Sequence, residues 1–166
     1  MLTNAKPGDR LPVIEKDIDQ DRINRWARLS GDFNSLHMDI EFAKASRFGG
    51  TIAHGPMSLA FLNELMMECF GKGWAAGGKL LEVRFVAPTR PGDRIQITGT
   101  VTSVEKKGND LVCGCDLFIQ KQTGEKTVVG KSATGCSRRL LQGGLHVSGQ
   151  ATVVDKKHVD QNMEVS

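Results

Sequence analysis

The stretch from Gly55 to Phe70 constrains this chain more than any other. Gly55-Pro56 reads as a helix start, because proline at the first helical position removes only an N–H that has no intrahelical partner. Behind it, Met57, Leu59, Ala60, Phe61, Leu62, Leu65, Met66, Met67, Cys69 and Phe70 cover nearly every face of the helix. A helix that apolar must be wrapped by other structure. It is too short to span a bilayer, and it carries Asn63, Glu64 and Glu68. The glycine-rich segment 71–78 ends it.

Everything after that segment reads as strand and supplies the wrapping. Leu80 to Ala87 stops at Pro88, and Arg94 to Val104 alternates Ile95, Ile97, Gly99 and Val101. Leu111 to Gln120 follows a Gly108-Asn109-Asp110 turn, and Thr127 to Arg139 follows Thr123-Gly124-Glu125. Upstream, Leu11 to Glu15 reads as a short strand that Pro12 confines to an edge. Asp19 caps a helix through Ile23, Trp26, Ala27 and Leu29 that stops at Ser30-Gly31. Asp39 caps a shorter piece through Phe42, Ala43 and Ala45, which Gly49-Gly50 ends. The fold class is therefore α+β: a long central helix wrapped by a curved antiparallel sheet. One domain over residues 1–142 is expected, followed by a polar tail or linker over 143–166.

Composition narrows the function. The net charge is +3, the basic pairs are scattered, and no Tyr interleaves with them, so nucleic acid is not the expected partner. A slightly basic balance does suit a phosphorylated acyl carrier. No signal-like or membrane-spanning stretch is read, and a cytoplasmic protein is expected. Cys69, Cys113, Cys115 and Cys136 have neither zinc-knuckle nor redox-motif spacing, so they are expected as small buried residues in a reducing compartment. Gly73 to Leu80 nearly spells a phosphate-binding loop. It follows a helix and opens a strand, the reverse of what that loop requires.

The chemistry lies in Ser30-Gly31-Asp32-Phe33-Asn34-Ser35-Leu36-His37. Five residues separate Asp32 from His37, which on a helix sets them about 140° apart and on a strand places them on opposite faces. Only a turn through Phe33, Asn34 and Ser35 brings them together, and Asn34 and Ser35 favour one. A carboxylate and an imidazole that converge can hold and polarise a water. Ala53-His54-Gly55 then places Gly55 at a helix N-terminus, where outward N–H groups suit a developing oxyanion. His54 reads as structural. A metal site from His37, His54, Asp32 and Asp39 lacks the spacing zinc sites use, and none is expected.

The run from Trp26 to Asp39, continuing through Phe42-Ala43 to Ile52-Ala53-His54-Gly55, resembles the MaoC-like (R)-specific enoyl-CoA hydratases, as does Arg84 to Asp93. The resemblance covers about Leu11 to Arg139 and implies a hot-dog fold. It implies that Asp32 and His37 are the catalytic pair and that Gly55 is the oxyanion donor. Asn34 and Asn63 would support them, Asn63 two turns into the central helix. It further implies addition of water to a trans-2-enoyl thioester of CoA or an acyl carrier, giving an (R)-3-hydroxyacyl thioester, with no cofactor. A homodimer is expected, since an unpaired sheet edge is a liability. The chain departs from the family pattern at Ser35, Ile40 and Pro56, where Pro, Pro and Met are usual. Two rival readings are a thioesterase using Glu64 or Glu68, and a non-catalytic subunit that binds acyl thioesters.

Overall fold

The computed structural model describes Leu2, residues 4–107 and residues 110–136. In chain order the elements are β1 (Ile14–Asp17), α1 (Gln20–Ser30), α2 (Ser35–Met38), α3 (Ile40–Ala45) and α4 (Gly55–Phe70). They continue with α5 (Lys72–Ala75), β2 (Lys79–Phe85), β3 (Arg94–Lys107), β4 (Asp110–Lys121) and β5 (Lys126–Gly135). The strands form one antiparallel sheet in the order β1-β3-β4-β5-β2. β3, β4 and β5 are consecutive neighbours, while β2, leaving α4 and α5, pairs with β5 at the far edge. The sheet wraps α4, as the apolar girth of that helix requires.

The alternation along β3 buries Ile95, Ile97 and Val101, and the facing strands add Cys115, Leu117, Ile119 and Val128. Against them α4 buries Leu62, Leu65, Met66 and Phe70. Each such side chain contributes roughly 1.5–3 kcal/mol relative to exposure. Packing therefore holds α4 in place, and its first turn is fixed relative to β2 and β5.

The aspartate caps fall where the sequence puts them. Asp19 Oδ1 accepts from Arg22 N at 2.6 Å, and Asp39 Oδ1 accepts from Glu41 N and Phe42 N. Several boundaries differ by one to three residues. β2 stops at Phe85, β3 runs on to Lys107, and α4 is capped at His54 rather than Gly55. The short helix α5 occupies part of the glycine-rich segment. β1 begins at Ile14 rather than Leu11: Arg10 bridges Thr100 and Leu11 N donates to Gly99 O on β3, but Pro12 stands between them and the continuous ladder, which runs from Ile14 to Asp17. α3 stops at Ser46, whose N–H and Oγ both bond to the Ala43 carbonyl, before Gly49-Gly50 is reached.

The cysteine expectation needs correction. Cys113 and Cys136 form a disulfide, while Cys69 and Cys115 are free and buried. Register explains the pairing. Cys113 on β4 faces Thr134 on β5. Cys136, two residues further on, continues the same antiparallel register with its N–H donating to Leu111 O, so the two cysteines are diagonal neighbours with Cα atoms 6.0 Å apart. The turn at residues 108–109, the last residues expected for the final strand, and the 143–166 tail lie outside the described residues.

Candidate active site

The Asp32-to-His37 segment is assembled from local hydrogen bonds. Gly31, in the left-handed region at φ 74°, ends α1 and turns the chain outward. Asp32 Oδ1 then accepts from Asn34 N at 3.2 Å, and Asn34 Oδ1 accepts from Leu36 N at 2.9 Å. The second bond caps α2, so the expected turn is an Asx turn followed by one helical turn carrying His37. This brings a carboxylate oxygen of Asp32 and ring nitrogens of His37 and His54 within 4.8 Å of one another. Asp32 is exposed, His37 half-buried and His54 wholly buried.

Backbone carbonyls fix both tautomers. His37 Nδ1 lies 2.8 Å from the Ile52 carbonyl, which only accepts, so Nδ1 carries the proton and Nε2 keeps a free lone pair. His54 Nε2 likewise donates to the Asp32 carbonyl at 3.0 Å. The rings stack with centroids 3.8 Å apart. Burial pushes the His54 pKa below the ordinary imidazole value of 6.5, and His37 lowers it further, against the opposing pull of Asp32. His54 is therefore neutral, its buried Nδ1 without a hydrogen bond. Gln20 anchors the same region. Its Nε2 donates to the His37 carbonyl at 2.8 Å, and its Oε1 accepts from Thr51 Oγ1 at 2.7 Å.

His37 opens onto a cleft of ≈ 310 Å³, shared with Gly55 and Ser58 from α4. Its walls are largely apolar (Ile52, Phe85, Val86, Val128), and Arg47 stands among them with its guanidinium over the Phe48 ring. No side chain caps α4, so the Gly55 N–H belongs to a first turn whose donors have no intrahelical acceptor. A Cβ on Gly55 would sit 3.2 Å from the Phe85 ring, closer than the ring tolerates without moving. The cleft thus brings together the His37 imidazole, the first-turn N–H of Gly55 and apolar walls. The exposed Asp32 carboxylate lies within 4.8 Å of a His37 ring nitrogen but outside the cleft lining.

Not every residue singled out from the sequence joins it. Asn34 serves through the α2 cap. Asn63 does not line the cleft: it is exposed, donates to Leu59 O and accepts from Trp74 Nε1 at 3.1 Å. Of the two acids in the thioesterase reading, Glu64 is paired with Lys16 at 2.9 Å, and neither Glu64 nor Glu68 lines the cleft. Gln20 and Ser58 escaped the sequence reading, while His54, read as structural, is found stacked on His37 and bonded to the Asp32 carbonyl. For Gln20 no signal existed, since its partners lie 17 and 31 residues away.

The model of the MaoC like domain family matches residues 3–115. A 3-hydroxyacyl-thioester dehydratase Z of Mycobacterium tuberculosis is 40% identical over 98 residues, covering 57% of this chain and 65% of that protein. A peroxisomal hydratase-dehydrogenase-epimerase of Neurospora crassa is 33% identical over 130 residues, 77% of this chain but 13% of that protein. Among solved structures, an (R)-hydratase from A. caviae involved in PHA biosynthesis superposes with a TM-score of 0.65. It is 23% identical, and the match covers 79% of this chain and 96% of that one. The fold is the hot-dog fold of MaoC-like dehydratases.

Proposed function

We propose that this chain, which belongs to the MaoC-like domain family, interconverts a trans-2-enoyl thioester and its (R)-3-hydroxyacyl thioester by adding or removing water. The observation that carries the reading is the convergence of Asp32 and His37 beside the cleft that also takes in Gly55. The free lone pair of His37 Nε2 and the Asp32 carboxylate are two acceptors placed to hold one water. As its oxygen bonds to Cβ, a proton passes to one of them, and a proton from the pair is returned to Cα. Charge shifts onto the thioester oxygen during the attack, where the Gly55 N–H meets it. One such donor is typically worth about 3 kcal/mol of barrier. The reaction is redox-neutral and needs only water, so we assign it neither cofactor nor metal. Stoichiometric zinc or iron in the purified protein would revise that.

The activities of the relatives above support this reading, as do the positions of Glu64 and Glu68 away from the cleft. The test is loss of conjugated-enoyl absorbance when the chain is added to trans-2-enoyl-CoA. Asp32→Asn keeps the oxygen that accepts from Asn34 N, so it removes charge while sparing the turn. We expect it and His37→Ala each to lower kcat roughly 10²–10⁴-fold. Full activity in both variants would sink the assignment.

The chain is also read as a homodimer joined through β2. That edge strand exposes Leu81 and has no strand on its outer side among the described residues. A monomer in sedimentation at micromolar concentration would contradict this. Among the described residues no helix is long and apolar enough to cross a membrane. We place the protein in the cytoplasm, a location its two buried free thiols suit and its disulfide puts to the test.

A further inference from the structure

Pro56 leaves a gap in the first turn of α4. Of the backbone groups that could face the cleft there, position 56 offers no N–H. Ser58, one turn beyond Gly55, lies on the same helix face. It is 5% exposed and lines the cleft that His37 and Gly55 share. The Cα–Cβ bonds of a helix tilt toward its N-terminus, which carries the Ser58 Cβ back toward the first turn that holds Gly55. Serine inside a helix commonly spends its hydroxyl on the carbonyl four residues earlier. Here no hydrogen bond joins Ser58 Oγ to any described residue, and it is not among the sealed polar atoms without a partner.

We infer that Ser58 is a catalytic residue of the proposed hydration, its Oγ–H giving the thioester oxygen a second hydrogen bond in place of the N–H that Pro56 lacks. The inference rests on the function proposed above. A hydroxyl is suited to the task because it rotates to follow the oxygen as charge builds, and a neighbouring apolar wall strengthens the bond by excluding water. A carbonyl oxygen has two lone pairs, so the Gly55 N–H and the Ser58 O–H do not compete.

The experiment compares wild type, Ser58→Ala and Ser58→Ala/Pro56→Met on a short trans-2-enoyl-CoA, with thermal unfolding of each as a control. Ser58→Ala removes one oxygen and leaves the helix intact. We expect kcat to fall about tenfold or more while KM and the unfolding temperature hardly change. Restoring an N–H at position 56 in the double variant is expected to recover part of the loss. Wild-type kcat in Ser58→Ala overturns the inference and leaves the hydratase reading standing. A double variant no faster than Ser58→Ala overturns the claim that Ser58 stands in for position 56. A wild-type chain inactive on every enoyl thioester overturns the function and this inference together.

Discussion

The rings of His37 and His54 stack at 3.8 Å, inclined by 29°, and each holds a main-chain carbonyl of the other's neighbourhood. His37 reaches Ile52, two residues before His54, and His54 reaches Asp32, five before His37. The bonds cross, locking the Asp32 turn to the α4 entry. His54→Phe keeps the stack and the volume, removes the bond to Asp32 and abolishes the unpartnered Nδ1. We expect it to fold with nearly native stability and yet lose activity, since a displacement near 1 Å at a reacting group is worth about 10²-fold. Native kcat in that variant would reduce His54 to filler.

The same histidine makes stability depend on pH. Burial lowers its folded pKa below the unfolded 6.5, so between those two values the unfolded chain binds more protons than the folded one. Its contribution to stability is complete above about pH 6.5, declines as pH drops toward the lowered value, and is lost below it. Denaturant titrations of wild type and His54→Phe over that interval should diverge, with the wild type falling more steeply. Parallel curves would contradict the assignment.

Gly55 separates two requirements that meet at one atom. Alanine there retains the N–H but drives a methyl group into the Phe85 ring, whose side chain is more than half exposed and free to give way. Gly55→Ala should therefore unfold within about 1 kcal/mol of wild type, and its KM should rise as the displaced ring narrows the cleft. Adding Phe85→Ala should lower KM again. A Gly55→Ala enzyme with unchanged KM would show that the ring does not border the bound substrate.

The four cysteines divide into two pairs with different chemistry. Burial raises the Cys69 thiol to about 11 and pushes Cys115 up as well, so neither offers a thiolate near neutrality. Iodoacetamide at pH 8 should label none in the native chain, two after unfolding without reductant, and four after reduction. Opening the Cys113–Cys136 bond should lower stability by about 2–4 kcal/mol. Four reactive thiols without reductant would mean that the bond is absent from the purified chain.

Much of the fold was legible because its signals are periodic or terminal. The all-round apolar α4, the alternation of Ile95, Ile97 and Val101, and the caps at Asp19 and Asp39 are each written within a few consecutive residues. The convergence of Asp32 and His37 was also local, following from the turn-forming Asn34. The disulfide was not legible, since it depends on the register between β4 and β5, which sets Cys113 diagonally opposite Cys136. Gln20 was hidden for the same reason. A single amide that joins α1, α2 and Thr51 has no spacing to betray it. Asn63 misled because two turns along a helix fixes a face but not what that face meets, and here it meets Trp74.

The carbonyls that hold His37 and His54 belong to Ile52 and Asp32, and they are peptide atoms rather than side chains. Any residue placed at position 52 brings the same oxygen, so this part of the support is immune to most point substitutions. It yields only to changes that move the chain, such as an inserted residue or a proline. Insertions between Phe48 and His54 should therefore be far more damaging than side-chain replacements there. In the language of inheritance, what is transmitted at that segment is a length and a path, with the letters largely free to drift.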